Sequence, residues 1–290
     1  MIEATSQSQA RPTAPPRIEE RGRNWRNILL GVHSMLMYLF LYAPIVILVL
    51  FSFTTDGFGV RLTGFTLDWY DRLLHNERLI GASINTLKVA LISTGVSTII
   101  GTLTALAMER YRFRGKGAFD ALLYLPIVIP EVVMGLSLLA FFAFSFGIIE
   151  ALIGYQFFLS LTTVIIAHIA FSISFVVVVV RASLKGFDRR LEEAAQDLGA
   201  NEWQTFWRIT FPLILPGIIG GALLAFTISL DDFIISFFTT GPGTSLLPIE
   251  VYSRVKRSIT PEINAISTVM LVLSMVLVGV SQFIQQRQRR

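Results

Sequence analysis

Six apolar runs separated by polar segments dominate the hydrophobic pattern of the chain. Each run has the roughly 20 residues that a helix needs to cross the hydrocarbon core of a bilayer. The pattern therefore predicts an all-α polytopic membrane protein with six transmembrane helices. The predicted spans are residues 28–53, 83–108, 119–144, 157–180, 213–238 and 263–284.

The residues before the first run have a different character. Residues 1–27 contain several prolines, serines and glutamines together with five arginines, which is typical of a disordered segment. The first run is too long for the core of a signal peptide, and no small-residue cleavage site accompanies it. We therefore expect a disordered cytosolic tail at residues 1–27 and a six-helix transmembrane domain at residues 28–290.

A polar stretch, residues 192–216, lies between the fourth and fifth runs. Its first part has helical spacing up to Leu198, and Gly199 suits the position after a helix end, because glycine adopts a left-handed backbone at little cost. Asn201 then suits the cap of a second helix, with Gln204 as its capping-box partner. The stretch predicts two short helices joined by a glycine elbow at the membrane edge, a shape suited to docking. The alternative is an amphipathic helix that rests on lipid headgroups.

The composition agrees with a membrane protein. Apolar residues make up 53% of the 290 residues, charged residues make up 15%, and the mean hydropathy is +0.64. This is too apolar for a soluble domain of that size. The chain has no cysteine, which excludes a disulfide framework, a thiolate nucleophile and a zinc site with cysteine ligands.

The distribution of basic residues predicts the orientation. Most of the 24 lysines and arginines lie in the N-terminal tail, the loop after the second span, the approach to the polar stretch and the C-terminus. Cytosolic loops carry an excess of such residues, so both termini are expected in the cytosol. The loop at residues 182–212 then lies on the same side, where ATP is found.

Three carboxylates lie within the apolar runs, where charge is costly and tends to face a cavity or a partner. Glu131 follows Pro130, and Pro126 lies one turn earlier, so we expect the third span to be broken at mid-depth. Asp231 and Asp232 lie near the outer end of the fifth span. With no basic partner evident at the same depth, these residues predict a pathway for a cationic substrate. The alternatives are that Glu131 caps its own broken helix and that the aspartates are solvated at the interface.

A lone histidine, His168, lies among apolar residues of the fourth span. A histidine in that setting is more often a hydrogen-bonded packing residue than a ligand. The outer segments are also informative: residues 54–82 form the longest loop and are compatible with a short interfacial helix, and the turn at residues 239–243 must be tight. These outer loops are either connectors or a place for an extracytoplasmic partner.

The polar stretch also carries a motif of a known family. The chain resembles the permease subunits of ABC importers, whose signature is EAA, three residues, G, nine residues, I, one residue, LP. Phe211 stands where leucine is usual, and the matching residues are Glu193, Ala194, Ala195, Gly199, Ile209 and Pro212.

This resemblance implies the type I importer permease fold and a coupling helix that inserts into a groove on a separate ATPase subunit. The alanines would allow close approach, Glu193 would offer a charged contact and Gly199 would permit the bend. The implied coupling residues are Glu193, Ala194, Ala195, Asp197 and Gly199.

Absent motifs argue against an enzyme. The chain has no G-x-x-x-x-G-K-[ST] to cradle ATP phosphates, no H-E-x-x-H and no G-x-S-x-G. A channel would be a non-enzymatic alternative, but it does not explain the two-helix elbow with its EAA spacing. Transport driven by a separate motor is therefore the favoured interpretation.

Within the family, the chain most resembles the second permease subunits of spermidine/putrescine importers. The similarity includes Lys185-Gly186-Phe187-Asp188, Leu230-Asp231-Asp232, Thr240-Gly241-Pro242 and Pro261-Glu262-Ile263-Asn264-Ala265.

That similarity implies ATP-driven uptake of polyamines across an inner membrane by alternating access. The implied partners are a homologous permease, two ATPase subunits, an extracytoplasmic binding protein and the bilayer, with no nucleic acid. No cofactor is expected on the chain itself, since ATP and magnesium would be bound by the ATPase. Alternatives are permeases for opine-like, amino-acid-like or anionic solutes.

Overall fold

The computed structural model describes residues 21–57, 61–186, 188–257 and 260–288. These residues form helices and connecting segments, with no strand among them, so the all-α prediction is confirmed. The helices are α1 (Arg21–Phe51), α2 (Asp68–His75), α3 (Glu77–Arg110), α4 (Lys116–Val128), α5 (Glu131–Ile153), α6 (Leu161–Lys185), α7 (Arg190–Asp197), α8 (Glu202–Thr205), α9 (Phe211–Asp231), α10 (Ile234–Thr239), α11 (Leu247–Val255) and α12 (Pro261–Gln288).

Five helical stretches are long and apolar enough to cross a membrane. They are Trp25–Phe51, Glu77–Arg110, Glu131–Ile153, Leu161–Lys185 and Glu202–Asp231. The sixth predicted span lies in α12, whose apolar part among the described residues, Pro261–Val276, is shorter. The short helix expected in the outer loop is present as α2.

The first span forms a unit of its own up to Ile47. Helix α1 contains Pro44, and the rings of Tyr38 and Tyr42, one turn apart, have centroids separated by 6.3 Å. The predicted tail at residues 1–27 lies outside the described residues up to residue 20, and its last seven residues form the start of α1.

The third span begins later than the sequence pattern predicts. Helix α4 ends at Val128, Ile129 is extended (φ −70°, ψ 136°), and α5 begins at Glu131. A residue before proline is pushed out of the helical region by the proline ring, and Pro130 imposes this on Ile129. The break at Pro130 was predicted, but the membrane-length helix is Glu131–Ile153 rather than residues 119–144.

Helices α3, α6 and α9 pack around one core. Val176 of α6 lies between two glycines: a Cβ added at Gly101 of α3 would be 2.7 Å from the Val176 side chain, and one added at Gly221 of α9 would be 3.4 Å from its Cα. Small residues let helix backbones approach closely, which is how packing and dispersion stabilise helix pairs within lipid. The buried core residues of this cluster are Ala105, Leu106, Val176, Val177, Val180, Leu184, Ile214 and Ala225.

A second cluster joins α5, α6 and α10. A Cβ at Gly135 of α5 would meet the side chain of Phe238 at 2.7 Å and the carbonyl oxygen of Ile234 at 3.4 Å. Towards the other end of α5, the ring of Phe146 stacks on that of Phe157. Leu159, two residues further on, lies with its backbone against Gly241, which follows the end of α10. Helices α5 and α10 therefore run side by side in the same direction.

The turn after α10 is tight, as predicted. The amide of Thr244 donates to the carbonyl of Gly241 at 3.1 Å, and Gly243 has φ +79°. Proline followed by a residue with positive φ at the centre of a four-residue turn defines a type II turn. Gly241 itself has no space for a side chain, because a Cβ there would lie 1.7 Å from the Leu159 carbonyl oxygen.

Candidate functional site: the coupling loop and the membrane carboxylates

Helix α7 ends in the geometry that the sequence predicted for Gly199. Gly199 has φ +89°, its amide donates to the Gln196 carbonyl at 2.9 Å, and the Ala200 amide donates to the Ala195 carbonyl at 3.0 Å. This pair of hydrogen bonds is the Schellman motif, which satisfies two of the carbonyls left free at a helix end. No neighbouring atom lies within 4 Å of a Cβ built on Gly199, so the glycine is required by the backbone conformation and not by space.

The second predicted cap is also confirmed. The Gln204 amide donates to the Asn201 side chain at 2.8 Å, and the Asn201 amide donates to the Gln204 side chain at 3.2 Å. This reciprocal capping box starts α8.

The second helix of the loop is not a separate short helix, contrary to the prediction. Helix α8 continues through a π-helical turn, Phe206–Thr210, directly into α9. The ring of Pro212 would clash with the carbonyl four residues earlier, at Arg208, in a regular α-helix. The wider π turn shifts the hydrogen-bond register just before this proline, so that the helix continues through it. The second helix of the coupling loop is therefore the start of the fifth membrane helix, whereas α7 remains a separate helix before the elbow.

The outward surface of α7 carries most of the residues that the family motif singles out. Glu193, Ala194, Asp197 and Gly199 are exposed, and Ala195 is half-buried. Leu198, at the end of the helix, is 90% exposed. The residues that the family motif singles out are thus mostly accessible to another protein.

The residue next to Glu193 has a different role. Glu192 accepts hydrogen bonds from the guanidinium of Arg110, at the end of α3, and from the hydroxyl of Thr210, the last residue of the π turn that leads into α9. Arg110 also donates to the Thr210 hydroxyl at 3.3 Å. Helix α7 is thus tied to two of the three core helices.

Sequence reasoning missed this three-residue link. The available signal was the helical spacing that puts Glu192 on the same face of α7 as Ala195, both half-buried. Neither Arg110 nor Thr210 was singled out by any motif.

A second charged cluster lies near the same end of the molecule. Arg181 of α6 lies 2.5 Å from the Asp120 carboxylate of α4 and 3.9 Å from the Glu109 carboxylate of α3. The Arg181 side chain is only 12% exposed, whereas the carboxylates of Asp120 and Glu109 are 30% and 31% exposed, so these contacts are partly shielded from solvent. They join α3, α4 and α6 at the end where α7 lies.

The three membrane carboxylates fall into two environments. Glu131 and Asp231 are exposed, and neither makes a side-chain hydrogen bond or ion pair within the described part of the chain. Gly135 of α5 and Ile234 of α10 are neighbours, since a Cβ built on Gly135 would lie 3.4 Å from the Ile234 carbonyl oxygen. Glu131 lies one turn before Gly135, and Asp231 lies three residues before Ile234. Because α5 and α10 run in the same direction, the two free carboxylates lie at a similar level along this helix pair.

Asp232 is buried and engaged. Its two carboxylate oxygens accept the amides of Ile235 at 3.3 Å and Ser236 at 2.8 Å, and so cap α10. His168 lies 3.4 Å from the same carboxylate, and Asp232 is 9% exposed. Substrate contact by Asp232 stays a prediction, since the contacts that it makes here are those of a helix cap.

His168 is the centre of this buried polar cluster. It is 2% exposed; its Nδ1 lies 2.7 Å from the Ser229 hydroxyl of α9, and its Nε2 lies 3.0 Å from the Ser236 hydroxyl of α10. Ser229 in turn lies 3.1 Å from Ser93 of α3. The interpretation of His168 as a hydrogen-bonded packing residue is confirmed, and its partners hold the break between α9 and α10 against α3 and α6.

The sequence matches one family over much of its length. Residues 97–290 match the family described as binding-protein-dependent transport system inner membrane component.

Two curated relatives are similar over most of the chain. The spermidine/putrescine transport system permease protein PotC of Haemophilus influenzae is 41% identical over 262 residues, which are 90% of this chain and 98% of that protein. The putrescine transport system permease protein PotI of Escherichia coli is 39% identical and covers 85% of both chains.

A solved structure has the same fold. A chain in a bacterial alginate ABC transporter, crystallised with an alginate pentasaccharide-bound periplasmic protein, matches with a TM-score of 0.73 and 21% identity. The match covers 92% of this chain and 96% of that chain. The arrangement of helices described above is thus one that an ABC importer uses.

Proposed function

Since the chain belongs to the family of binding-protein-dependent transport system inner membrane components, we propose that it is one of two related permease subunits of an ABC importer for polyamines. Its expected partners are the second permease, two ATPase subunits and an extracytoplasmic binding protein. The chain itself is a translocation subunit without catalytic residues, and ATP and magnesium are bound by the ATPase subunits.

The observation that carries this proposal is the geometry of the coupling loop. Helix α7 is closed by the Schellman motif at Gly199, exposes Glu193, Ala194 and Asp197, and is tied through Glu192 to α3 and α9. An exposed helix that is anchored to the core of the membrane domain suits a contact that transmits motion. We assign this contact to the ATPase.

The orientation follows from the same contact. An ATPase partner requires α7 to face the cytosol, which agrees with the excess of basic residues at that end. Both termini would then be cytosolic, in an inner membrane.

The substrate class rests on two arguments. Both curated relatives are named for putrescine, and one also for spermidine. In this chain, Glu131 and Asp231 lie at a similar level along the α5–α10 pair. Neither carboxylate has a hydrogen-bond or ion-pair partner among the described residues. A protonated amine that leaves water needs such groups, because an unpaired buried charge is very costly. We therefore propose that Glu131 and Asp231 contact the amines of a polyamine, while Asp232 maintains the helix break beside them.

Transport would proceed by alternating access. When ATP closes the ATPase subunits, α7 moves with them, and the link from Glu192 to Arg110 and Thr210 transmits the movement to α3 and α9. The break after Asp231 is the place where α9 can change direction relative to α10, because residues 232 and 233 lie outside both helices. Hydrolysis of ATP would reverse the movement.

The test is reconstitution of the full complex in vesicles. With ATP inside and binding protein outside, we expect uptake of labelled putrescine and spermidine, while the isolated chain gives neither ATPase activity nor ion conductance. Uptake of a neutral or anionic solute without polyamine uptake would contradict the substrate, and conductance through the isolated chain would favour the channel alternative.

A further inference from the structure

A pocket rich in arginine lies at the opposite end of the molecule from the coupling loop. Its volume is about 260 Å³, and it is formed where the start of α3, helix α11 with the residues after it, and the start of α12 meet. The lining residues are Arg78, Glu250, Arg254, Arg257, Thr260, Glu262 and Ile263.

The position of this pocket follows from the length of α3. Arg78 and Arg110 lie at the two ends of this helix, 32 residues apart, which corresponds to about 48 Å at 1.5 Å per residue. The hydrocarbon core of a bilayer is about 30 Å thick. The pocket therefore lies on the side of the membrane opposite to the contact between Arg110 and Glu192.

Both carboxylates of the pocket are already occupied. Glu250 accepts hydrogen bonds from Arg78 at 2.8 Å and from Ser245 at 2.6 Å. Glu262 accepts hydrogen bonds from Arg254 at 3.0 Å and from Asn76 at 3.1 Å. These contacts bind α3, α11 and α12 to one another and give the pocket a fixed frame.

Arg257 supplies the unbalanced charge. Its guanidinium donates to the carbonyl and the hydroxyl of Ser253, at 3.2 and 2.8 Å, and within the described ranges no carboxylate lies within ion-pair distance of it. The pocket thus contains three guanidinium groups against two carboxylates. The remaining donors of Arg257 are exposed and suit an anionic group, since a guanidinium binds a carboxylate through two parallel hydrogen bonds.

We propose that this pocket receives a carboxylate side chain of the extracytoplasmic binding protein, with Arg257 as its main contact and Arg78 at its rim. The proposal rests on the proposed function, which requires such a protein to dock on this side of the membrane. The pocket suits a polar docking point for three reasons. It has a net positive charge that can attract a carboxylate, its frame is held by ion pairs and hydrogen bonds, and the Arg78 side chain at its rim is 65% exposed.

The experiment compares two charge reversals at the same end of the complete transporter in zwitterionic nanodiscs. Arg257→Glu changes the pocket; Arg72→Glu makes the same change of charge on α2, where Arg72 is exposed above the ring of Trp69 and does not line the pocket. The readout is the concentration of binding protein that gives half-maximal stimulation of ATP hydrolysis.

We expect Arg257→Glu to raise this concentration about ten-fold or more, with a maximal rate close to that of the parent at saturation, because a charge-assisted contact is replaced by repulsion. Arg257→Gln should have a smaller effect, and Arg72→Glu should leave the concentration within about two-fold. The parent value should also rise with salt more steeply than that of Arg257→Glu.

Equal effects of the two reversals, or no effect of either, would overturn the proposal. An effect of Arg257→Glu that arises only in nanodiscs containing phosphatidylglycerol would assign the pocket to a lipid headgroup instead. If binding protein fails to stimulate even the parent complex, the proposed function itself is wrong, so the two failures are distinguishable.

Discussion

Arg110 and Glu192 are 82 residues apart in sequence and form an ion pair that joins the end of α3 to the first turn of α7. The adjacent residue, Glu193, is exposed and has no such partner among the described residues. One glutamate therefore holds the coupling helix to its own chain, and the other is available to another protein. This difference allows the two functions of the loop to be tested separately.

Replacing Glu192 with glutamine should weaken the anchor of the coupling helix. It removes the charge from a partly exposed network, at an expected cost of about 1 to 2 kcal/mol in stability. We expect a lower melting temperature of the purified subunit and transport that is poorly coupled to ATP hydrolysis. Glu193→Gln is the matched control: it should leave the melting temperature unchanged and weaken only the association with the ATPase. Identical behaviour of the two variants would refute the division of roles.

Replacing Gly199 with valine should disturb the elbow. A β-branched residue in the left-handed region costs about 1 to 2 kcal/mol, and the Schellman hydrogen bonds depend on that conformation. We expect normal membrane insertion, with ATP hydrolysis uncoupled from uptake. Asn at position 199 should be milder, because asparagine tolerates this region. Gly186→Ala is a control at a glycine with φ −85°, where no such penalty arises. Normal coupling in Gly199→Val would contradict this role of the elbow.

Replacing Glu131 with glutamine should weaken substrate binding in the membrane. Loss of one charge-assisted contact, worth about 1.5 to 3 kcal/mol, corresponds to roughly a ten-fold to hundred-fold loss of apparent affinity. Glu131→Asp should be milder, since it keeps the charge. Binding of polyamine to the isolated binding protein should be unaffected. The measurement is the concentration dependence of uptake in vesicles, and parent-like uptake by both Glu131→Gln and Asp231→Asn would leave these carboxylates without a substrate role.

The neighbouring aspartates should respond differently to the same substitution. Asp232→Asn removes a buried charge that caps α10 and contacts His168, which we expect to cost about 2 to 4 kcal/mol in stability. Asp231→Asn changes an exposed side chain and should leave stability nearly unchanged. Thermal unfolding of the two purified variants decides this directly; a stable Asp232→Asn protein would mean that the cluster around His168 contributes little.

The stability of the outer frame should depend on pH through Glu250. Burial raises the pKa of the Glu250 carboxyl, but hydrogen bonds from Ser245 and Arg78 and the charges of Arg78 and Arg254 outweigh it, so that its pKa lies below the ordinary value of 4.5. A carboxyl with a lowered pKa in the folded state stabilises the protein above the unfolded pKa, and this contribution is lost as the pH falls through the folded pKa.

The corresponding experiment measures melting temperature from pH 7 down to pH 4. Glu250→Gln should lower the melting temperature at pH 7 and flatten its decline towards pH 4. Glu150→Gln is the control, because this exposed side chain has no hydrogen bond or ion pair within the described residues. A decline in Glu250→Gln as steep as that of the parent would exclude Glu250 as a source of the pH dependence.

The sequence by itself determined the features that depend on composition or on neighbours within a few positions. Runs of about 20 apolar residues identify membrane helices because the bilayer has a fixed thickness. The left-handed Gly199, the capping box between Asn201 and Gln204, and the break at Pro130 each involve hydrogen bonds or steric clashes within five residues. Such local interactions are readable without knowing how the helices pack.

Only the tertiary structure decided which side chain of each acidic pair faces inward. Glu192 and Glu193, like Asp231 and Asp232, are chemically equivalent in the sequence, and their roles depend on how α7 and α9 are rotated against α3 and α6. The partners that distinguish them, Arg110 and His168, lie 82 and 64 positions away, because backbone packing brings distant helices into contact. The continuity of α8 with α9 was also decided in this way: a π turn lets the helix pass Pro212, which the sequence alone indicated as a boundary.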